Sequence, residues 1–324
     1  MIGFDTIGNA TLTVFDDSPV LSTDPWVFGS PYFGSWGHKY TIPNEQINNI
    51  KKSKYIWLSH GHPDHIDYSS FKLFENSIIL VPDHYGDRIY NYFSKKYKCI
   101  RLKSNEWFQI SKNVKIKSFS DWNQDGSLLI EILKKNIIFN QNDGQSRGWS
   151  KTIKNIIKSY QNRFLLRLIN WGDADMINIF DHHQNFILPQ AAKEPAVGKQ
   201  YKNLMKSWNC NFAIPFSAFH KYIRTDSLKM NKFITPISRH SEGFNDKFGE
   251  LLPAYIRWDC TKNDFKKITV EENNQLPQNP IEFGDNWSDE LEKEDKKIIQ
   301  DYFLKIESLK KYWGTISFKV GSKE

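Results

Sequence analysis

Cysteine is scarce in this 324-residue chain: Cys99, Cys210 and Cys260 lie far apart and form no CxxC or CxH spacing. That removes a disulfide framework, a zinc ribbon and a Rieske-type cluster. Long apolar runs are missing too, and none approaches the ~20 residues a membrane span needs. The first residues, Met1-Ile2-Gly3-Phe4-Asp5, lack the basic start and apolar stretch of a secretory leader, so a soluble cytoplasmic protein is expected. There is no GxGxxG or GxxxxGK[ST] loop to cradle a nucleotide phosphate. Helix-turn-helix, finger and RNP motifs are also missing, so nucleic acid is not an expected partner. Charge of neither sign dominates: 44 basic against 37 acidic residues leave +7. The lysines are scattered among Asn and Ile, as on a solvated surface rather than a polyanion-binding face.

What is present is ample apolar material, 39% hydrophobic and 15% aromatic, enough to fill a real core. Thr11–Phe15 and Val20–Thr23 alternate as the arms of a hairpin around Asp16-Asp17-Ser18-Pro19. Tyr55–Ser59 and Ile78–Val81 read as short buried strands, and Tyr68–Glu75 and Asp87–Tyr97 as helices. Residues 26–43 predict an ordered loop in which Trp26, Phe28, Tyr32, Phe33 and Trp36 pin the loop or line a pocket. Residues 114–119 and 127–139 predict two strands about a turn at Asn123-Gln124-Asp125-Gly126. Helices follow at 147–162 and near 198–208, Phe164–Ile169 is again apolar, and Asn211–Phe216 reads as a strand. In the tail, Asp289 and Glu292 have capping-box spacing, and Leu291, Ile298, Tyr302, Ile306 and Leu309 mark one helix face before Gly314. Thr315–Val320 reads as a last strand.

The strongest chemical signal is His60-Gly61-His62-Pro63-Asp64-His65, directly after the Tyr55–Ser59 run. A loop leaving a strand end can aim two imidazoles, two positions apart, at one ion, while the aspartate and last histidine turn toward a second. Neutral imidazole and carboxylate suit zinc, iron or manganese. Such a polar cluster beside an apolar strand is costly unless coordinated or well hydrogen-bonded.

HxHxDH after a hydrophobic strand resembles the signature of the metallo-β-lactamase fold. Upstream, Ile7-Gly8-Asn9-Ala10-Thr11, a hairpin and Asp24-Pro25-Trp26 look like the opening segment of one branch. That branch holds ascorbate-6-phosphate lactonase, N-acylphosphatidylethanolamine phospholipase D and CMP-N-acetylneuraminate hydroxylase. The resemblance covers roughly residues 5–240. It implies an α/β fold, a four-layer αββα sandwich with the metals at one edge, over residues 1–240, and a C-terminal extension over 241–324 packed on it.

The resemblance also implies later ligands. Asp143, after Ile137-Ile138-Phe139, matches a bridging aspartate, and His220, after Ile214-Pro215-Phe216, matches the last histidine. The usual third histidine of the first ion is missing, since none lies between His84 and His182. Asp121 stands at about the right place, with Asp125 as the other choice. The implied set is His60, His62 and Asp121 on one ion, Asp64, His65 and His220 on the other, and Asp143 between them. Asp64 and His220 would carry catalysis, Asp64 also taking the nucleophile's proton. His84, His38, His182, His183, His240 and Arg239 are candidate pocket or substrate residues, with ordinary loop structure as the plain alternative. The expected function is metal-dependent hydrolysis of a small anionic substrate, such as a phosphoester or lactone, by a metal-activated water. Arg239, Lys221 and Arg224, near His220, would receive its charge. The alternatives are an iron oxygenase, which would need electrons from outside, and a nuclease of the same fold.

Overall fold

In the computed structural model the central strands are buried on both faces, and alternate side chains enter different cores. Leu128, Ile130 and Ile138 point into one apolar cluster, and Leu129, Ile137 and Phe139 into another. This two-sided burial is why these strands read as continuous apolar runs. The structure describes residues 1–168, 180–181, 183–189, 192, 195–217, 219–245, 247, 249–286 and 289–313, with side chains of 307–313 left aside.

One sheet has eight strands: β1 (Ile2–Ile7), β2 (Thr11–Asp16), β3 (Ser18–Thr23), β5 (Tyr55–Trp57), β6 (Ile78–Pro82), β7 (Cys99–Leu102), β16 (Ile256–Asp259) and β17 (Asp264–Lys267). Its order is β17-β16-β1-β2-β3-β5-β6-β7. The second has seven: β8 (Trp107–Gln109), β9 (Val114–Ser120), β10 (Gly126–Ile132), β11 (Asn136–Asn142), β12 (Asn162–Leu168), β13 (Phe212–Phe216) and β15 (Glu250–Leu251). Its order is β15-β13-β12-β11-β10-β9-β8. A small ribbon pairs β4 (Trp36–His38) with β14 (His220–Tyr222).

Phe4, Leu12, Val14 and Trp57 of the first sheet share a core with Ile116, Ile130, Phe164 and Ile214 of the second. Helix α1 (Asn44–Lys52) and α2 (Arg88–Phe93) cover the outer face of the first sheet through Ile50 and Phe93. Helices α3 (Ser150–Ile157) and α4 (Val197–Trp208) cover the second with Ile153, Ile157, Tyr201 and Met205. The result is the expected αββα sandwich.

Three details depart from the sequence reading. Residues 127–139 hold parts of two strands, because Leu133 and Lys134 turn the chain at φ 54° and 56° without the Asn-Gly that usually announces such a turn. Residues 68–75 keep only a short 3-10 turn, Phe71–Leu73. There Asp67 takes the Ser69 amide, and the Ser70 hydroxyl takes the amides of Val27 and Phe28. The sandwich also continues past residue 240: β15, β16 and β17 extend both sheets, and the first compact unit runs Met1–Gln278. The second unit, Asn279–Glu324, contains α5 (Lys293–Trp313). Thr315–Val320 and His182 lie outside the described residues. No described helix is long and apolar enough to cross a membrane.

Candidate metal centre

β5 delivers the chain to the strand-end edge, where His60, Asp64 and His65 are buried and His62 is exposed. The imidazole Nε2 of His65 lies 3.2 Å from Asp64 Oδ2 and 3.3 Å from Asp143 Oδ2. His60 Nε2 lies 3.8 Å from the same Asp143 oxygen and 2.7 Å from His62 Nδ1. Donor atoms of His60, His65 and Asp143 all fall within 4.8 Å of one another. Asp143 arrives from the end of β11, where Ser217 Oγ, past β13, donates to its Oδ1 at 2.8 Å.

His220 enters from β14. Its ring stacks on Trp36 at 3.6 Å and 7° between planes, and neither ring nitrogen has a hydrogen-bond partner. A buried imidazole with both nitrogens bare is costly unless it coordinates something. Burial pushes His60 and His220 down to about 3, so both are neutral and ready as ligands. His65 behaves oppositely: burial disfavours its charge, but Asp64, Asp143 and Asp24 outweigh that and hold it well above its usual range. Three carboxylates facing one imidazole form a strongly cation-seeking pocket. Against the cost of burial, His65 and then Tyr32 hold Asp64 below the usual carboxylate range.

The partners that aim these groups went unseen in the sequence. Asp24 Oδ1 accepts from the Ser59 amide at 2.7 Å, and its Oδ2 accepts from Asn142 Nδ2 at 2.7 Å and faces His65 Nδ1 at 3.3 Å. With Nδ1 so held, His65 Nε2 is left for the centre, and it too is buried without a hydrogen-bond partner. Asn9 donates to Asp64 Oδ2 at 2.9 Å and accepts the Phe219 amide at 3.0 Å. Tyr32 donates to Asp64 Oδ1 at 2.6 Å while packing on Trp36 at 4.5 Å. Asp24, Asn142 and Ser217 all have left-handed backbone, φ 41°, 51° and 54°. Such strain at three strand ends around one site marks side chains held for a purpose. The Asp-Pro stop after β3 was the one local hint.

Asp121 and Asp125 occupy the β9–β10 turn. Gly126 lets this turn close on the metal loop, since a Cβ there would meet Ser59 O at 2.5 Å. Asp121 Oδ1 is spent on the turn, accepting the amides of Asn123 and Asp125 at 2.8 and 3.2 Å, while its Oδ2 is buried without a hydrogen-bond partner. Asp125 packs by Gly144, where a Cβ would lie 3.5 Å from its own. Burial and then the carboxylates of Asp121 and Asp143 raise its pKa, and His62 acts on it in the other direction.

The remaining candidates have duller places. His84 Nε2 bonds the Ser59 carbonyl at 2.9 Å, bracing the metal loop from behind. His38 pairs with His220 across the ribbon and stacks on Trp26 at 4.0 Å. His240 is buried against Phe219, and His183 is exposed. Of the expected anion receptors, Arg224 is forked onto Asp226, exposed Arg239 onto Glu242, and Lys221 donates to the Asn273 carbonyl. Phe28 and Phe33 are exposed. Residues Gly144-Gln145-Ser146-Arg147-Gly148 have GxSxG spacing between β11 and α3. The Ser146 hydroxyl bonds Ser127, however, and among the described residues no histidine stands by as its base.

Comparison with known proteins bears on the fold. No family model matches the chain. Over 109 residues, 32% of its length, it is 25% identical to the cytidine monophosphate-N-acetylneuraminic acid hydroxylase of Asterias rubens. That stretch spans only 17% of the sea-star protein. Among solved structures it is similar to Igni18, a metallo hydrolase from the archaeon Ignicoccus hospitalis, with TM-score 0.51 and 11% identity over 83% of this chain and 99% of that one. A metallo-beta-lactamase fold protein from Bacillus subtilis, YhfI, matches with TM-score 0.40 and 11% identity, over 77% of this chain and 90% of that one. Two mixed sheets between helical layers, with HxHxDH at a strand end, give this chain the metallo-β-lactamase fold.

Proposed function

We propose that the chain is a metal-dependent hydrolase acting on a small anionic substrate. The observation that carries this reading is the convergence of His60, His65 and Asp143 at one strand-end edge. Both His220 nitrogens, buried without hydrogen-bond partners, and His65 Nε2, facing two carboxylates, fit a cation at this edge. His60 and His62 would hold one divalent ion, Asp64, His65 and His220 a second, with Asp143 shared. Asp125, beside the Asp143 loop, is the third ligand proposed for the first ion, and Asp121, whose Oδ2 is buried without a hydrogen-bond partner, is the other choice. Zinc, iron and manganese all suit such a donor set. Ions held by these residues would supply Lewis-acid chemistry and would lower the pKa of a water to ~7.

The chain's own residues orient and confine the reaction. Asn9 and Tyr32 each donate to one oxygen of Asp64 and so fix the orientation of that carboxylate. Trp36 walls the His220 side and keeps that ring in one plane. The test is elemental analysis together with turnover of a panel of p-nitrophenyl esters and phosphodiesters. We expect about two equivalents of metal, activity lost to a chelator and restored by zinc or manganese, and equal rates without oxygen.

The second reading, an iron oxygenase, is favoured by the likeness to the sea-star hydroxylase. Strict dependence on dioxygen in iron-loaded protein would establish it and overturn the hydrolase.

A further inference from the structure

Three arginines of this chain hold a carboxylate in the same way, with the Nε and Nη2 edge of the guanidinium laid on two oxygens. Arg224 does so on Asp226 at 2.9 and 2.9 Å, Arg239 on Glu242 at 2.7 and 2.8 Å, and Arg257 on Asp5 at 2.8 and 2.7 Å. Arg167 departs from this pattern. Its Nη1 donates to the Gly144 carbonyl at 2.6 Å, and among the described residues its Nε and Nη2 have no hydrogen-bond partner and no carboxylate within ion-pair distance.

Its position makes that open edge meaningful. Arg167 lies near the carboxyl end of β12, between two parallel neighbours, in register with Asn142 on one side and Pro215 on the other. The first strand leads directly to Asp143, and the second to Ser217 and His220. Ligands of open α/β sheets gather outside such carboxyl ends. The Nη1 bond ties the guanidinium to the residue after Asp143, and Tyr201 fixes the backbone by donating to the Arg167 carbonyl at 2.6 Å. Asp143 and Asp125 are the carboxylates whose charge reaches it. Arginine cannot shed its proton, so a half-buried guanidinium with an unused fork needs an anion. Cations held by Asp143 would neutralise the charge that now serves Arg167.

We propose that Arg167 is the anchor for the substrate's anionic group, its Nε and Nη2 edge taking two oxygens of a phosphate or carboxylate beside the metal centre. This rests on the hydrolase reading and assigns the substrate's charge to a residue other than Lys221, Arg224 or Arg239. The two N–H bonds of that edge match a planar or tetrahedral oxyanion and offer nothing comparable to a neutral ester.

The test titrates metal-loaded full-length protein with inorganic phosphate and, separately, with acetate, by calorimetry at fixed ionic strength. Wild type is compared with R167K and R167Q. Melting temperature and elemental analysis accompany each variant. We expect Kd for one or both anions to rise about tenfold or more in R167Q and less in R167K, with metal content unchanged. The anion that loses most identifies the group. Unaltered anion binding in R167Q overturns the proposal, as does a wild type that binds neither anion. Loss of metal from both variants also overturns it, showing that the guanidinium serves the Asp143 loop. Binding is read here without turnover, so failure of the hydrolase reading shows separately, as metal-loaded protein inert toward every ester.

Discussion

The proposed ligands divide into two groups around Asp143: Asp64, His65 and His220 for one ion, and His60, His62 and the β9–β10 turn for the other. The first group is buried and braced from behind: Asp24 and Asn142 on His65, Asn9 and Tyr32 on Asp64, Trp36 flat against His220. In the second, His60 leans on Ser59 Oγ at 2.8 Å, but His62 is exposed and its Nδ1 rests 2.7 Å from His60. Held ligands lose little freedom on coordination, whereas loose ones must be ordered at that moment. On the proposed reading, the difference would make the two ion positions unequal, the buried one tight and the outer one exchangeable.

The largest effect should come from the residue common to both sides. Asp143→Ala is expected to lose both ions, so elemental analysis falls from about two equivalents to well below one. Unchanged metal would place the bridge elsewhere. Next, Asp24→Asn presents an amide donor where three donors now converge, and should weaken the buried position by roughly 10–100-fold while sparing the outer one. Competition with a chelating dye resolves the two sites; an equal loss at both would mean that Asp24 supports the whole edge rather than His65.

The unevenness of the centre also explains what could be seen beforehand. His60, His62, Asp64 and His65 fall within six residues of one another, so their chemistry shows as a local pattern. The layered fold was expected from the resemblance that this local pattern carries, and the apolar runs of strands buried on both faces agree with it. The bracing was not, because its partners meet only through the sheets. Asn142 and Asp24 are 118 residues apart in sequence, Asn9 and the Phe219 amide 210. Short polar residues such as these look like ordinary turn formers. The Asp121 choice followed order along the chain, and the proposal of Asp125 follows the packing of the turn against Gly144. The fold's continuation into β16 and β17 was hidden for a similar reason. Those strands are short, and β17 is largely exposed.

His62→Ala sharpens the comparison at its outer side. One ion should be lost and one retained, and Asp125→Ala should behave likewise while Asp121→Ala keeps full metal content. Full occupancy in Asp125→Ala with loss in Asp121→Ala would restore the choice made from sequence order.

The smallest effect is expected at Tyr32. Its hydroxyl donates to Asp64 Oδ1 at 2.6 Å, while its ring packs on Trp36, which in turn holds His220. Tyr32→Phe removes the hydrogen bond and keeps the packing. Asn9 still holds the other Asp64 oxygen, so the carboxylate stays aimed at His65. A hydrogen bond to an ionised group is worth roughly 1.5–3 kcal/mol, and with Asn9 keeping the carboxylate aimed only part of that reaches the ion, so affinity at the buried position should fall by about one order of magnitude or less. The outer position should not change. Tyr32→Ala adds loss of the ring against Trp36, frees the stacked His220, and should cost more than Tyr32→Phe at the buried position alone. Equal losses for the two variants would show that the hydroxyl does all the bracing. A loss confined to the outer ion would break the division of the centre into a tight and a loose half.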